Sequence, residues 1–260
     1  MNNAFQLKDR SVWVVVGGAG YLGQAVVTLL SSLGTKVLCI DMENRSVDFV
    51  KNAGLSDRVA TASFNINDTG FVAQFVKEQV ALHGSPDGLV NLAFGSTAKK
   101  TEELTDEDFD KVNHAALTAT FILAREVANN MIEKGRGSIV LFSSMYGMVS
   151  PNEEVDEAPM NKNPLEYGVG KAGIIQMTKY LAVHWAKQHV RVNCISPGPF
   201  PNPAVQQNHP DFIVRLAKKS PMGRIGVADE IAGPVAFLLS DVSGYITGHN
   251  LVVDGGWTSW

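Results

Sequence analysis

Tyr167 and Lys171 stand four residues apart in a stretch that reads as helix, Leu165–Lys187, so one helix face presents both. A phenol with a pKa of about 10 is a poor base at neutral pH. An ammonium one turn away stabilises the phenolate and makes proton transfer to and from an alkoxide practical. Such a pair alone is usually a coincidence of the surface. Here it follows Ser143-Ser144-Met-Tyr-Gly147, at the end of an apolar run, and precedes Asn193-Cys-Ile-Ser-Pro197-Gly198.

A second set of residues lies near the start. Val12–Val16 runs into Gly17-Gly-Ala-Gly20-Tyr-Leu-Gly23 and then into a helical stretch. Glycines there permit a tight turn and let a pyrophosphate approach helix N–H groups. The required context is present, because Asp41 closes the next apolar run, 21 residues beyond Gly20. A carboxylate in that place accepts hydrogen bonds from adenosine ribose hydroxyls and repels a 2′-phosphate, which favours NAD over NADP. Arg45 either softens that preference or is a solvated loop arginine.

The elements that must carry these groups alternate along nearly the whole chain. Strands are expected at Val12–Val16, Lys36–Ile40, Val59–Phe64, Gly88–Asn91, Ser138–Phe142, Arg191–Ile195 and Leu251–Val253. Most are continuous apolar runs, as in parallel strands covered on both faces. Helices are expected at Gly20–Ser32, Asp68–His83, Asp106–Glu133, Leu165–Lys187 and Ala228–Leu239. The reading is an α/β fold with a Rossmann-like, doubly wound parallel sheet of seven strands and helices on both faces. No linker divides it, so residues 1–260 form a single dinucleotide-binding domain with the substrate site built in. Met148–Pro164 and Pro197–Pro210 are the long irregular segments, and segments of that length usually carry function.

Composition narrows the classes. With 45% hydrophobic and 18% charged residues in 260, the chain builds a sizeable core. Lys plus Arg is 22 against 26 Asp plus Glu, a net charge of −4, which argues against a nucleic-acid backbone reader. Cys39 and Cys194 give neither a disulfide framework nor a zinc cluster and read as buried thiols. The six histidines show no paired metal spacing, so no metal is expected. The most apolar stretch, Val12 to Leu30, is broken by glycines, which predicts no membrane span and a cytoplasmic, unprocessed protein.

Taken together these motifs resemble the short-chain dehydrogenase/reductase family in its compact branch, over essentially the whole chain to Val253-Asp-Gly-Gly256. The resemblance implies that Tyr167 is the catalytic acid/base and that Lys171 lowers its pKa while holding the nicotinamide ribose. It implies that Ser144, favoured over Ser143 by its spacing to Gly147, bonds the substrate oxygen. Asn113 then holds a water linking Lys171 to solvent. Cofactor contacts are implied at Gly17, Gly20, Tyr21, Leu22, Gly23, Asp41, Asn65, Ile66, Asn91, Ala93, Tyr167, Lys171, Pro197 and Gly198. Downstream, Pro221-Met-Gly-Arg224, Asp229-Glu-Ile-Ala232 and Ile246-Thr-Gly248 are also family-like.

Departures from the family pattern are as informative. Val16 replaces a usual Thr, Tyr21 replaces a glycine, and Asn65 stands where an Asp often meets adenine. The family's Asn-Asn-Ala-Gly becomes Asn91-Leu-Ala-Phe94, and Pro199-Phe-Pro-Asn202 lacks the Thr that often follows Pro-Gly. Gly168, Gly170 and Gly173 in a helix imply close approach, either of ligand or of another helix.

The expected function is NAD-dependent interconversion of a secondary alcohol and a ketone by hydride transfer. A catalytically silent dinucleotide-binding protein, or an epimerase or dehydratase recycling NAD internally, are the alternatives. The resemblance implies a homotetramer, and Asp106–Glu133 and Leu165–Lys187, with apolar residues on more than one face, leave a stripe to bury against a symmetric partner. The 22 residues between Ser144 and Tyr167 include Asn152, Glu153, Glu154, Asp156, Glu157, Asn161 and Asn163, which suits a small polar, sugar-like substrate. That interval is alternatively a solvated lid. Lys99 and Lys100 are candidates to meet an acidic sugar, and Trp257 and Trp260 to stack on a sugar face.

Overall fold

Neighbouring residues along each strand enter different cores. Trp13, Leu89, Ile139 and Leu141 pack in one apolar cluster, while Val12, Val90, Val140 and Phe142 pack in another. A sheet buried on both faces needs apolar residues at every position, which explains the unbroken runs.

The computed structural model describes residues 7–15, 17–152, 155–156 and 163–260. Its strands are β1 (Ser11–Val15), β2 (Lys36–Asp41), β3 (Val59–Ser63), β4 (Gly88–Asn91), β5 (Gly137–Phe142), β6 (Val190–Pro197) and β7 (Asn250–Val253). All pairs are parallel and the order is β3-β2-β1-β4-β5-β6-β7. The order reverses between β1 and β4, and ligands in such sheets bind outside the strands' C-terminal ends at that reversal.

The helices are α1 (Tyr21–Ser32), α2 (Arg45–Asn52), α3 (Val72–His83), α4 (Asp106–Asn113), α5 (Thr120–Lys134), α6 (Leu165–Trp185), α7 (Pro203–Asn208), α8 (Pro210–Lys219) and α9 (Asp229–Leu239). Helices α3, α5 and α6 cover one face with Phe75, Leu123, Val127, Met131, Ile174 and Trp185. Helices α1 and α9 cover the other with Val26, Val27, Leu30, Ile231, Val235 and Leu238.

Two expectations are corrected. The single helix Asp106–Glu133 is two α-helices joined by a π-helical segment, His114–Ala119. Such wide turns collect at functional sites, and this one follows Asn113 directly. The expected irregular stretch 197–210 contains α7, because Asn202 Oδ1 accepts from Val205 N at 3.0 Å and Pro203 opens the first turn. The expected irregular stretch 148–164 is seated at Val155, which is buried with Met145, Tyr146, Leu216 and Trp257. Val16 at the end of the first expected strand, and Glu153, Glu154, Glu157 and Asn161 of the interval, lie outside the described residues.

Cys39 and Cys194 are free and buried. Burial pushes their thiols up to about 12 and about 11, so both stay protonated and behave as small core residues.

Candidate active site

The turn after β1 is set by glycine for steric reasons. Gly17 has φ +92°, and a Cβ on Gly23 would overlap the Gly17 carbonyl oxygen. Helix α1 starts at Tyr21 with Gly20 as its N-cap, which has no side chain to bond the first-turn N–H groups. Those amides of Tyr21, Leu22 and Gly23 form a positive end suited to an anion.

Asp41, at the end of β2, is fully buried. One carboxylate oxygen accepts from Ala19 N at 3.0 Å and the other from Met42 N at 2.8 Å, with Arg45 Nη1 at 3.3 Å. It therefore braces the glycine turn from the end of β2. Carboxylate oxygens keep further lone pairs for hydroxyls once Arg45, half exposed, moves aside.

The second cluster assembles around α6. Ser144 caps a short 3₁₀ turn, Met145–Gly147, its Oγ accepting from Tyr146 N at 3.2 Å. A Cβ on Gly147 would lie 2.8 Å from the Lys171 carbonyl carbon, so glycine lets this turn close on α6. That contact brings Ser144 to Tyr167, and the two side chains are hydrogen-bonded. Ser143 instead donates to the Lys171 carbonyl at 2.7 Å, a structural bond. Burial raises the Tyr167 phenol above 10, and the bond to Ser144 opposes this. Lys171 is 4% exposed, its Nζ 2.8 Å from the Phe142 carbonyl and 5.5 Å from the Tyr167 ring centre. Burial pushes its ammonium down to about 8, which leaves it mostly charged at neutral pH.

Asn113 closes α4 just before the π segment. Its Nδ2 donates to the Phe109 carbonyl at 3.0 Å, while its buried Oδ1 has no partner among the described residues. A Cβ on Gly170 would stand 3.2 Å from that oxygen and 3.0 Å from Ala116 Cβ. Gly170 and Gly173 thus serve close packing of α6 on the π segment, Gly173 against Leu117. An orphaned buried acceptor facing α6 has the polarity that a bound water needs.

Other expected residues serve differently. Asn91 spends its side chain internally, donating to Thr120 Oγ1 at 3.0 Å and accepting from Ala93 N at 3.0 Å. It therefore braces the end of β4, and Ala93 and Ile66 belong to the core. Asn65 Oδ1 accepts from Asn67 N at 3.1 Å in a local turn. Pro197 is buried at the end of β6, and Gly198 N donates to the Val253 carbonyl at 2.9 Å, where a Cβ would strike Asp254. Lys99 is paired with Asp108 at 2.6 Å, so its charge is already matched. Trp257 is a core side chain at 4% exposure, and Trp260 is exposed beneath Lys219. Trp257 therefore has no free face for a sugar, whereas most of Trp260 remains open.

Sequence spacing did not single out Glu166. It is fully buried, accepts from Thr97 N at 3.1 Å and Thr97 Oγ1 at 2.8 Å, and its Oε2 has no partner among the described residues. The signal was its place, a carboxylate adjacent to the acid/base candidate. No cluster of three potential metal-binding side chains occurs among the described residues.

A glycine turn against an uncapped helix, an acid at the end of the second strand and a buried ammonium beside a phenol fit a nicotinamide dinucleotide. Comparison with known proteins agrees. The family model described as enoyl-(acyl carrier protein) reductase matches residues 18–258. A 3-oxoacyl-[acyl-carrier-protein] reductase of Thermotoga maritima is 31% identical over 250 residues, 95% of this chain and 98% of that one. An NAD-dependent glycerol dehydrogenase of Listeria innocua is 30% identical over 255 residues, 98% and 96% of the two chains. A short-chain dehydrogenase of Leptospira borgpetersenii with bound NAD+ superposes with a TM-score of 0.87 at 35% identity, covering 99% of this chain and 96% of that one. The chain belongs to the short-chain dehydrogenase/reductase family, as an NAD(P)-dependent oxidoreductase acting on CH–OH groups.

Proposed function

We propose that this chain is an NAD-preferring dehydrogenase that interconverts a secondary alcohol and a ketone on a small, polyhydroxylated substrate. The observation that carries the chemistry is the buried Lys171 ammonium beside the Tyr167 phenol, with Ser144 bonded to that phenol. In alcohol oxidation, Tyr167 Oη takes the hydroxyl proton and Ser144 Oγ holds the substrate oxygen as its charge changes. Lys171 stays protonated, offsets the cost of the phenolate in a buried site, and offers further N–H donors to a ribose. Asn113 Oδ1 seats the water through which Lys171 reaches solvent. The dinucleotide, when bound, supplies the hydride acceptor or donor.

Asp41 supports preference for NAD, because a carboxylate at that place repels a 2′-phosphate. The glycerol dehydrogenase relative and the polar residues between Ser144 and Tyr167 support a polyol or sugar-like substrate. We place the working assembly as a homotetramer in the cytoplasm. The outer face of α6 supports assembly, with Tyr180 72% and Val183 81% exposed. No helix among the described residues is long and apolar enough to cross a membrane.

The test is an absorbance screen with NAD(H) and NADP(H) over polyols, sugars, sugar acids and 3-oxoacyl thioesters, using wild type and Tyr167→Phe. Turnover with a polyol or sugar, lost by about 10²- to 10⁴-fold in Tyr167→Phe while NAD+ still binds, is the expected result. Turnover confined to acyl thioesters would overturn the substrate. Binding without any turnover would make the chain a silent dinucleotide binder, and product without net nicotinamide absorbance change would make it an epimerase or dehydratase.

A further inference from the structure

Phe94 occupies the position after β4 at which the family pattern has glycine, and its side chain points to the catalytic pair. Its ring meets the Tyr167 ring edge-on, with centroids 6.4 Å apart and planes at 87°. Lys171 Nζ lies 6.0 Å from the centre of the Phe94 ring, so the buried ammonium has an aromatic ring on two sides and the Phe142 carbonyl beneath. Leu92 and Ala93 just before it are buried, yet Phe94 is 67% exposed.

The backbone on either side is held by polar contacts. Asn91 Oδ1 accepts from Ala93 N, and Glu166, the residue before Tyr167, accepts from both Thr97 N and Thr97 Oγ1. The backbone that carries the ring is thus tied to β4 on one side and to α6 on the other, with the ring against Tyr167 and Lys171 and still largely exposed.

We propose that Phe94 is a positioning residue for the nicotinamide end of the dinucleotide. Its edge contact orients the Tyr167 ring, and its exposed face supports the apolar C–H side of the ribose whose hydroxyls reach Lys171. This rests on the reading above that the nicotinamide end lies at Tyr167 and Lys171. It assigns this chain's phenylalanine a task that a glycine cannot perform.

The experiment measures equilibrium binding of NAD+ and of 5′-AMP, which lacks the nicotinamide ribose, to wild type, Phe94→Ala and Phe94→Tyr by calorimetry. Thermal melting confirms that all three are folded. Phe94→Ala is expected to weaken NAD+ by about three- to tenfold and leave AMP within about twofold, with Phe94→Tyr restoring NAD+ to within about twofold of wild type. The KM for NAD+ should rise more than the KM for the alcohol. If Phe94→Ala binds NAD+ as well as or better than wild type, or weakens NAD+ and AMP alike, the assignment is overturned while the cofactor reading stands. If wild type binds no NAD+, both are overturned.

Discussion

Lys171 Nζ donates to the Phe142 carbonyl at 2.8 Å, which ties the charge on α6 to the last residue of β5. Ser143 and Ser144 follow that carbonyl directly, so one strand end sets the lysine, the serine and, through their bond, Tyr167. This linkage makes the site sensitive to the charge state of a single buried lysine.

Stability should therefore depend on pH through Lys171. Its pKa falls from 10.5 to about 8 on folding, so below about 8 both states hold the proton and the cost of burial is fully present. Between 8 and 10.5 the unfolded chain binds more protons, and stability rises with pH. Lys171→Met should be inactive yet more stable than wild type at pH 7, by at most about 3 kcal/mol less the lost bond to Phe142. Urea unfolding at neutral and at alkaline pH checks this; a gap between the two proteins that does not shrink with rising pH contradicts it.

Asp41 and Arg45 make a paired prediction about cofactor choice. Arg45→Ala should lower the use of NADP relative to NAD, because the guanidinium is the group nearest Asp41 able to meet a phosphate. Asp41→Ser should raise relative use of NADP and cost about 1–3 kcal/mol, since Ala19 N and Met42 N lose carboxylate acceptors. Ratios of kcat/KM for the two cofactors decide both. A wild type at least as active with NADPH as with NADH would make Arg45 a phosphate ligand instead.

Gly23→Ala is expected to be far worse than Gly70→Ala. At Gly23 the new methyl meets the backbone of Gly17 and Gly18, which cannot swing away, for a loss of about 1–3 kcal/mol. Nothing lies within 4 Å of a Cβ at Gly70, and that change should stay within about 0.5 kcal/mol. Denaturation midpoints and NAD+ titration measure the contrast.

Glu166→Ala leaves Thr97 N and Oγ1 without their acceptor and should cost about 1–3 kcal/mol. Glu166→Gln keeps one amide oxygen for Thr97, so it should lose less. Hydrogen exchange over residues 95–100 should quicken in the alanine variant and stay near wild type in the glutamine one. Equal quickening in both would mean that charge, not the bond to Thr97, holds the segment.

Replacing residues 157–162 by a short glycine–serine linker, with Val155 kept, tests the polar interval. A fall in kcat/KM for the best polyol, with NAD+ binding unchanged, is the expected outcome. Unchanged kcat/KM would reduce the interval to a surface lid.

Much of this was legible in the sequence, for identifiable reasons. The central strands are largely continuous apolar runs because both faces of the sheet are covered there, and Gly88–Asn91 runs from the first to the last residue of β4. Tyr167, Lys171 and Ser144 come together because helix spacing and the Ser144-to-Gly147 interval are local properties. What escaped depends on contacts between distant segments. The π segment after Asn113 breaks no apolar pattern, since its small residues pack as α-helical ones would. The burial of Asp41, Trp257 and Glu166 depends on partners at Ala19, Val155 and Thr97, far off in the chain. Lys99 looked free because nothing local announces Asp108 as its partner.

Val155 sits in its cluster with Leu216, and Arg215 Nε donates to the Val155 carbonyl at 2.9 Å. Through Val155, the segment before Tyr167 and helix α8 are therefore coupled in variation. A lineage that shortens or rewrites the stretch before Tyr167 must also keep a seat on α8. Transplanting a new specificity onto this scaffold calls for exchanging both pieces together, while β5 and α6, which hold the acid–base groups, stay untouched.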